Sequence, residues 1–298
     1  MSEQNKEILR QFMKAWDAGD IDSFGDFVAE DSVDHQLIPM PGMASGLEGV
    51  KQIAGMLRGA FPDSTSEIHY VIAEGDLVAA LATGRGTHTG DFMGMPATGK
   101  SFEVSEIHIV RVDGGKMVEH WGLSDQAAMM TQLGLIPAPP VPDGWRPPPG
   151  APQISGESSG DPEANRAALN GMIGGVRKND LGEVMNAIAP DVIDHGPVPG
   201  QGPGAEGMRF RFEQLFGGLT GSDFTTLASV GEGGLLANAF TFSAKHTGTL
   251  MGIPATGKSF SVAAMDFARF ENGKIRELWG VLDVPSMMIQ LGLMPAPG

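Results

Sequence analysis

An α+β fold written twice is what this sequence predicts, and two observations predict it. The first is a repeat. His88-Thr-Gly-Asp-Phe-Met-Gly-Met-Pro-Ala-Thr-Gly-Lys100 returns 158 residues later as His246-Thr-Gly-Thr-Leu-Met-Gly-Ile-Pro-Ala-Thr-Gly-Lys258. Arg111, Lys116, Glu119, Trp121, Asp125 and Gln132 return at the same offset as Arg269, Lys274, Glu277, Trp279, Asp283 and Gln290. A period this long is a whole domain, not a solenoid unit. The second observation is the order within each copy: helical periodicity first, then strands joined by hairpin turns, the pattern of an α+β domain. The boundaries read as 1–136 for the first domain, 137–161 for a linker and 162–298 for the second.

In the first copy, Ile8, Leu9, Phe12, Met13 and Trp16 share one face of a helix over Glu3–Ala18. Gly19-Asp20 stops it, and Asp20 is placed to cap a second helix running to about Ala29. A strand is expected over Ser32–Ile38, a loop at Pro39–Gly42 and a third helix over Gly46–Gly59. Strands follow at Thr65–Glu74 and Leu77–Thr89, split by the hairpin signal Glu74-Gly75-Asp76. After the Gly90–Lys100 loop come strands at Phe102–Val112 and Lys116–Leu123, then a helix over Asp125–Leu133. The second copy repeats this order, with helices near Pro162–Lys178, Leu181–Ala187, Gly204–Gly217 and 285–291. Its strands are expected near 222–231, 234–248, 259–271 and 274–282.

The segment between the copies carries Pro137, Pro139, Pro140, Pro142, Pro147, Pro148, Pro149 and Pro152, which exclude helix and inner strand. Trp145 inside it either packs the tether against a domain or closes over a pocket mouth.

Composition narrows the function. A formal charge of −16 argues against nucleic acid and anionic membrane surfaces as partners. No run of 18 apolar residues suggests a membrane span, and Met1-Ser-Glu-Gln-Asn-Lys6 does not read as a secretory leader, so a cytoplasmic setting is expected. Cysteine is absent, which removes disulfides, thiolate nucleophiles and cysteine metal ligands. The histidines of each copy lie on different strands without paired ligand spacing, so no metal is expected. No glycine-rich phosphate loop follows a strand into a helix.

The His-Thr-Gly motif, the Pro-Ala-Thr-Gly-Lys loop and the Glu-x-Trp strand with Asp four residues after Trp together resemble the SnoaL-like polyketide cyclases. That family shares a cone-shaped fold with nuclear transport factor 2, ketosteroid isomerase and scytalone dehydratase. The resemblance implies two tandem cone-shaped domains, each a curved, mostly antiparallel sheet packed against about three helices, with a pocket inside the cone. It implies a small hydrophobic carbonyl substrate, intramolecular aldol condensation or isomerisation, and no metal or cofactor. Relatives pair through the convex sheet face, so the tandem copy looks like a dimer fused into one chain, open to further homo-oligomerisation.

The chemistry needs a carboxylate or imidazole on an inward strand position, its pKa tuned by apolar walls. Glu106 and His108 alternate with Ile107 and Ile109, so the polar pair shares one face, lining the pocket or facing solvent. The second copy has Ala264 and Asp266 at these positions. His35 and His195, each preceded by Asp, either face the pocket or cap the Pro-Gly loop. His88 and His246 either line the pocket or anchor the following loop. His120 alternates with Trp121, so only one of them faces inward; Trp121 and Trp279 are candidate pocket residues. Asp125 and Asp283 read as helix caps. Many relatives carry an acid directly after this Trp, where this chain has Gly122 and Gly280. Met93, Met95, Met129, Met130, Met251, Met265, Met287 and Met288 fill a core or suit a broad ligand. Three functions remain: a cyclase or isomerase using Glu106 and His108 with His35 steadying charge, a non-catalytic binder of hydrophobic molecules, and an epoxide hydrolase-like hydrolase whose only arginine candidates are Arg85 and Arg111. The first copy holds the fuller polar set and is expected to be the more active.

Overall fold

A computed structural model describes residues 2–35, 43–138, 141–145 and 159–295. The chain divides into two compact units, Met1–Ala138 and Pro139–Gly298. Each contains a five-stranded sheet packed with helices.

In the first unit, α1 (Ser2–Ala18) buries Leu9 and Met13, and Gly19, at φ +70°, ends it. A short 3₁₀ turn (Ile21–Ser23) leads into α2 (Phe24–Phe27) and β1 (Val28–Asp34). Then come α3 (Gly46–Ala60), β2 (Thr65–Glu74), β3 (Leu77–Thr87), β4 (Ser101–Asp113), β5 (Lys116–Ser124) and α4 (Gln126–Leu133). The strand order is β1-β5-β4-β3-β2, antiparallel throughout except that β1 runs parallel to β5.

Two expectations change here. The second helix is shorter and β1 begins at Val28, not Ser32. Val28 is buried and pairs with Met117, so the β-branched residue starts the strand rather than extending the helix. The proposed continuation over 36–38 and the loop at 39–42 lie outside the described residues. Asp20 makes no side-chain capping bond; the turn after it is 3₁₀.

The second unit repeats the design with α5 (Pro162–Lys178), α6 (Leu181–Asn186), β6 (Ile188–Asp194), α7 (Gly204–Gly218), β7 (Leu219–Glu232), β8 (Leu235–His246), β9 (Ser259–Glu271), β10 (Lys274–Leu282) and α8 (Val284–Leu291). Its strand order is β6-β10-β9-β8-β7. Trp145 donates its indole Nε1–H to the Gln201 carbonyl at 2.9 Å, which ties it to the loop between β6 and α7. Residues 146–158 of the connecting segment are not among those described.

The core between sheet and helices follows strand alternation. In the first unit Ala80, Ala82 and Val110 of the inward face meet Leu9 and Met13 of α1 and Phe24. Burying side chains of this size contributes roughly 1.5–3 kcal/mol each for the larger ones.

The His-Thr-Gly motif explains itself in this setting. Thr89 and Gly90 donate backbone N–H groups to the Ala60 carbonyl at the end of α3, at 3.0 and 3.1 Å. A Cβ on Gly90 would stand 2.0 Å from the Gly59 carbonyl oxygen. The second copy repeats it: Thr247 and Gly248 bond to Gly218, and a Cβ on Gly248 would stand 1.9 Å from the Gly217 oxygen. Gly is needed for close approach of strand to helix end, not for its backbone angles. Gly90→Ala and Gly248→Ala should each destabilise the chain by about 1–3 kcal/mol, the usual cost of overpacking, read as a lower urea midpoint.

Candidate active site

The first unit contains a cavity of about 260 Å³ between the inward sheet face and helices α1 and α3. That is near the lower end for small-molecule pockets, roughly 300–1,000 Å³. Its walls are mostly apolar, with Phe12, Trp16, Val50, Ile53 and Leu57 on the helix side. Among its polar groups, Asp34, Ser66, Glu106, His108 and His120 are linked on the sheet side, and Ser32, Glu119, Ser124 and Gln126 also line it.

Register builds this cluster. β1 lies parallel to β5 with Asp34 opposite His120. β4 lies antiparallel to β5 with His108 opposite Gly122, and β3 places Ala82 opposite Glu106. Asp34 Oδ2 is 3.0 Å from His120 Nδ1, and His120 Nε2 is 3.1 Å from His108 Nδ1. His108 Nε2 is 4.0 Å from Glu106 Oε2, which accepts a 3.0 Å bond from the Ser66 hydroxyl. The Ser66 backbone N–H in turn donates to the Asp17 carboxylate at 3.0 and 3.1 Å. Burial raises the Asp17 carboxyl above its ordinary value; the Ser66 bond works against this and the nearby Glu106 charge adds to it.

The two imidazoles meet because residue 122 has no side chain. A Cβ on Gly122 would stand 2.5 Å from His120 Nε2 and 2.9 Å from His108 Nδ1. An acidic residue at this position and the imidazole pair as it stands exclude one another. The proton positions follow from the acceptors. An ionised Asp34 only accepts, so neutral His120 carries its proton on Nδ1. His120 Nε2 is then an acceptor, and His108 must donate to it from Nδ1. The remaining lone pair, on His108 Nε2, sits on the cavity side next to Glu106.

The expected site residues separate into two groups. Glu106, His108 and His120 line the cavity together. His35 and Trp121 do not line it: β1 and β5 alternate, so the inward Asp34 and His120 turn His35 and Trp121 the other way. The His35 ring stacks on Trp121 at 4.7 Å, and its Nε2 is 2.8 Å from Glu119 Oε1. Burial alone would raise Glu119, and the bonds from Arg111 and His35 bring it below its ordinary value. His195 and Trp279 copy this arrangement, stacked at 4.1 Å, with His195 Nε2 3.2 Å from Glu277. Pocket roles for His35, His195, Trp121 and Trp279 are therefore corrected to sheet-edge stacking. His88 is fully buried under the loop after β3, with Nδ1 3.2 Å from Thr98 Oγ1 and its ring against Phe61; His246 matches it with Thr256. These two anchor the loops rather than line the cavity. Asp125 and Asp283 cap α4 and α8, accepting from the Ala128 and Ser286 N–H groups.

Sequence reading missed Asp34, Ser66 and Asp17 as site residues. Asp34 was visible only as the neighbour of His35, and one residue of register decides which of the two faces inward. Among the described residues, no group of three or more His, Cys, Asp or Glu side chains is placed to hold a metal ion. No helix among them is long and apolar enough to cross a membrane.

The profile of the SnoaL-like polyketide cyclases matches residues 6–133 and again 168–291, one match in each half. The chain belongs to the SnoaL-like polyketide cyclase family. It is 30% identical over 158 residues to the aklanonic acid methyl ester cyclase DauD of Streptomyces sp. (strain C5), covering 52% of this chain and 96% of that protein. To the nogalonic acid methyl ester cyclase of Streptomyces nogalater it is 28% identical over 138 residues, covering 45% of this chain and 99% of that one. The crystal structure of wild-type IdmH from Streptomyces antibioticus covers 44% of this chain and 99% of its own, at 34% identity and a TM-score of 0.40.

The second half of this family member keeps Asp194 and Gly280 at the places of Asp34 and Gly122 and departs at three other inward positions. Ala264, Asp266 and Leu278 stand where the first half has Glu106, His108 and His120. Asp266 Oδ1 accepts from Asn238 Nδ2 at 2.7 Å. Burial pushes its carboxyl up to about 7, the Asn238 bond working the other way. Because the folded pKa lies above the unfolded one, the native state holds a proton that the unfolded chain loses from about pH 4 upward. Stability should fall as pH rises through the window from about 4 to 7 and then level off. Asp266→Asn should flatten that slope, measured as unfolding free energy against pH.

Proposed function

We propose that the first half is the catalytic half, a cyclase that closes a ring on a small hydrophobic carbonyl compound by intramolecular aldol chemistry. The observation that carries this is the Asp34–His120–His108 chain ending in a lone pair inside an apolar cavity. His108 Nε2 accepts the proton from a carbon next to a carbonyl, and the C–H electron pair becomes an enolate. As Nε2 gains its proton, the Nδ1–H bond to His120 and the His120 bond to Asp34 spread the positive charge along the chain. The Glu106 carboxylate, 4.0 Å away and held by Ser66, adds opposite charge beside the imidazolium. The enolate carbon attacks the second carbonyl carbon, a C–C bond forms, and the resulting alkoxide takes the proton back from Nε2. No redox partner is needed, and this reading uses no cofactor.

The relatives named above point to acid methyl esters as first substrates to try. With aklanonic and nogalonic acid methyl esters, the cyclised product has the mass of the substrate and is separated by chromatography. His108→Ala should lower kcat about 100- to 10,000-fold, the range of general acid–base groups, and Asp34→Asn by about 100-fold at the lower end of it. His35→Ala, outside the cavity, should leave kcat within a few fold. Unchanged turnover in both His108→Ala and Glu106→Gln would overturn the assignment.

A binding-only role is the second reading, favoured by glycine at 122 where relatives carry an acid. It predicts saturable binding of these esters with no product. The hydrolase reading lacks its arginine: Arg85 pairs with Glu67 and Glu103, Arg111 pairs with Asp76 and Glu119, and neither arginine lines the cavity. We also propose a cytoplasmic protein in which the two copies act as a fused pseudo-dimer, on the strength of the duplication; sedimentation of a monomeric chain would support it.

A further inference from the structure

The imidazole pair has a direction. His108 Nδ1 is turned to His120, and Nε2 to the row in which Glu106 stands opposite Ser124. Strand β5 alternates, so Ser124 follows His120 and Gly122 on the inward face, and Gln126 opens α4 just after it. Both side chains line the cavity and both residues are half-buried. Among the described residues, neither side chain has a hydrogen-bond partner, whereas Asp34, Ser66, Glu106, His108 and His120 are all engaged. Ser32, a third free hydroxyl on the lining, precedes Asp34 on β1 and so lies toward the Met117 end of β5. That is the side from which Nε2 is turned away.

Glu106 leaves the space before Ser124 open. Its carboxylate leans across β3, over Gly84, to the Ser66 hydroxyl on β2, the side away from β5. A Cβ on Gly84 would stand 2.2 Å from Glu106 Oε1, so glycine there lets the carboxylate lie back. What faces the cavity from Ser124 and Gln126 is a hydroxyl and an amide, both neutral donors. The second half departs here as well. Phe224, Phe242, Leu282 and Val284 stand at the places of Ser66, Gly84, Ser124 and Gln126. Phe224 and Phe242 stack at 4.3 Å, and all four belong to the apolar core of that half. The free donors and the imidazole pair therefore occur in the same half.

We propose that Ser124 and Gln126 are further catalytic residues, which donate hydrogen bonds to the oxygen that becomes the enolate. The inference rests on the aldol reading above and adds what that reading lacks, a partner for the negative oxygen. As His108 Nε2 takes the proton from carbon, the C–H electron pair moves into a carbon–carbon double bond and the carbonyl π pair onto oxygen. The Ser124 hydroxyl and the Gln126 amide N–H meet that oxygen. Their bonds strengthen as it gains charge, which lowers the barrier rather than tightening the ground state.

The test reads the first step alone, with the full chain and acetophenone as probe. In deuterium oxide, proton abstraction and return exchange its methyl hydrogens for deuterium, read by mass. Wild type should catalyse this exchange, and His108→Ala should abolish it. Gln126→Glu keeps the shape, suits the first turn of a helix and, ionised, only accepts. It and Ser124→Ala should each slow exchange at saturating acetophenone about 100-fold, the lower end for an oxyanion donor, with Kd within about threefold and the urea midpoint kept. Ser124→Thr keeps the hydroxyl and should retain most of the rate. If wild type exchanges, His108→Ala does not, and Gln126→Glu and Ser124→Ala match wild type, this inference falls while the aldol reading stands. A rise in Kd at unchanged saturated rate also overturns it, since the two groups would then hold only the ground state. No exchange by wild type overturns both.

Discussion

The missing side chain at Gly122 is the constraint on which the first site depends. Strand pairing puts residue 122 directly across from His108, and alternation puts His120 on the same face. Any Cβ at 122 would fill the space in which the two rings come within 3.1 Å. With glycine there, the rings link, and the parallel strand β1 adds Asp34 at the far end. A position that looks like a lost acid in sequence is, in space, the room that an imidazole pair needs.

The rest of the first half serves this arrangement. Asp17 and Arg58 tie the end of α1 to β2 through Ser66 and Ser64, so that the wall carrying Glu106 and the helix roof over the cavity are fixed together. On the other face, Trp121, His35, Glu119 and Arg111 form a stacked and ion-paired set that recurs as Trp279, His195, Glu277 and Arg269. That set is common to both halves and sits at the β1–β5 and β6–β10 joins. It packs on the outward side of the parallel edge strand, whose pairing with β5 and β10 sets Asp34 beside His120 and Asp194 beside Leu278. The buried His88 and His246 do comparable work for the loops after β3 and β8. Thus the two halves share the frame together with Asp34/Asp194 and Gly122/Gly280, while Glu106, His108 and His120 are replaced by Ala264, Asp266 and Leu278.

Much of this was legible in the sequence. The 158-residue offset announced two copies, and the change of period from helix to strand placed nearly every element. Glu106 and His108 could be read as an inward pair because Ile107 and Ile109 alternate with them. What failed was register at β1. Asp34-His35 gives two polar candidates one residue apart, and nothing local says which faces the cavity; that is decided by pairing with β5, some eighty-five residues away in the chain. Trp121 was misassigned for the same reason, since fixing His120 inward turns it out.

The central claim is that Asp34, His120 and His108 form one directed hydrogen-bond chain whose free lone pair is His108 Nε2. Nitrogen-15 NMR of the histidine-labelled chain reads it without any substrate. The account predicts that both His108 and His120, in their neutral forms, carry the proton on Nδ1, and that Asp34→Asn disturbs the His120 signals and, through them, those of His108. A neutral His108 protonated on Nε2, or a His120 indifferent to Asp34→Asn, would contradict it.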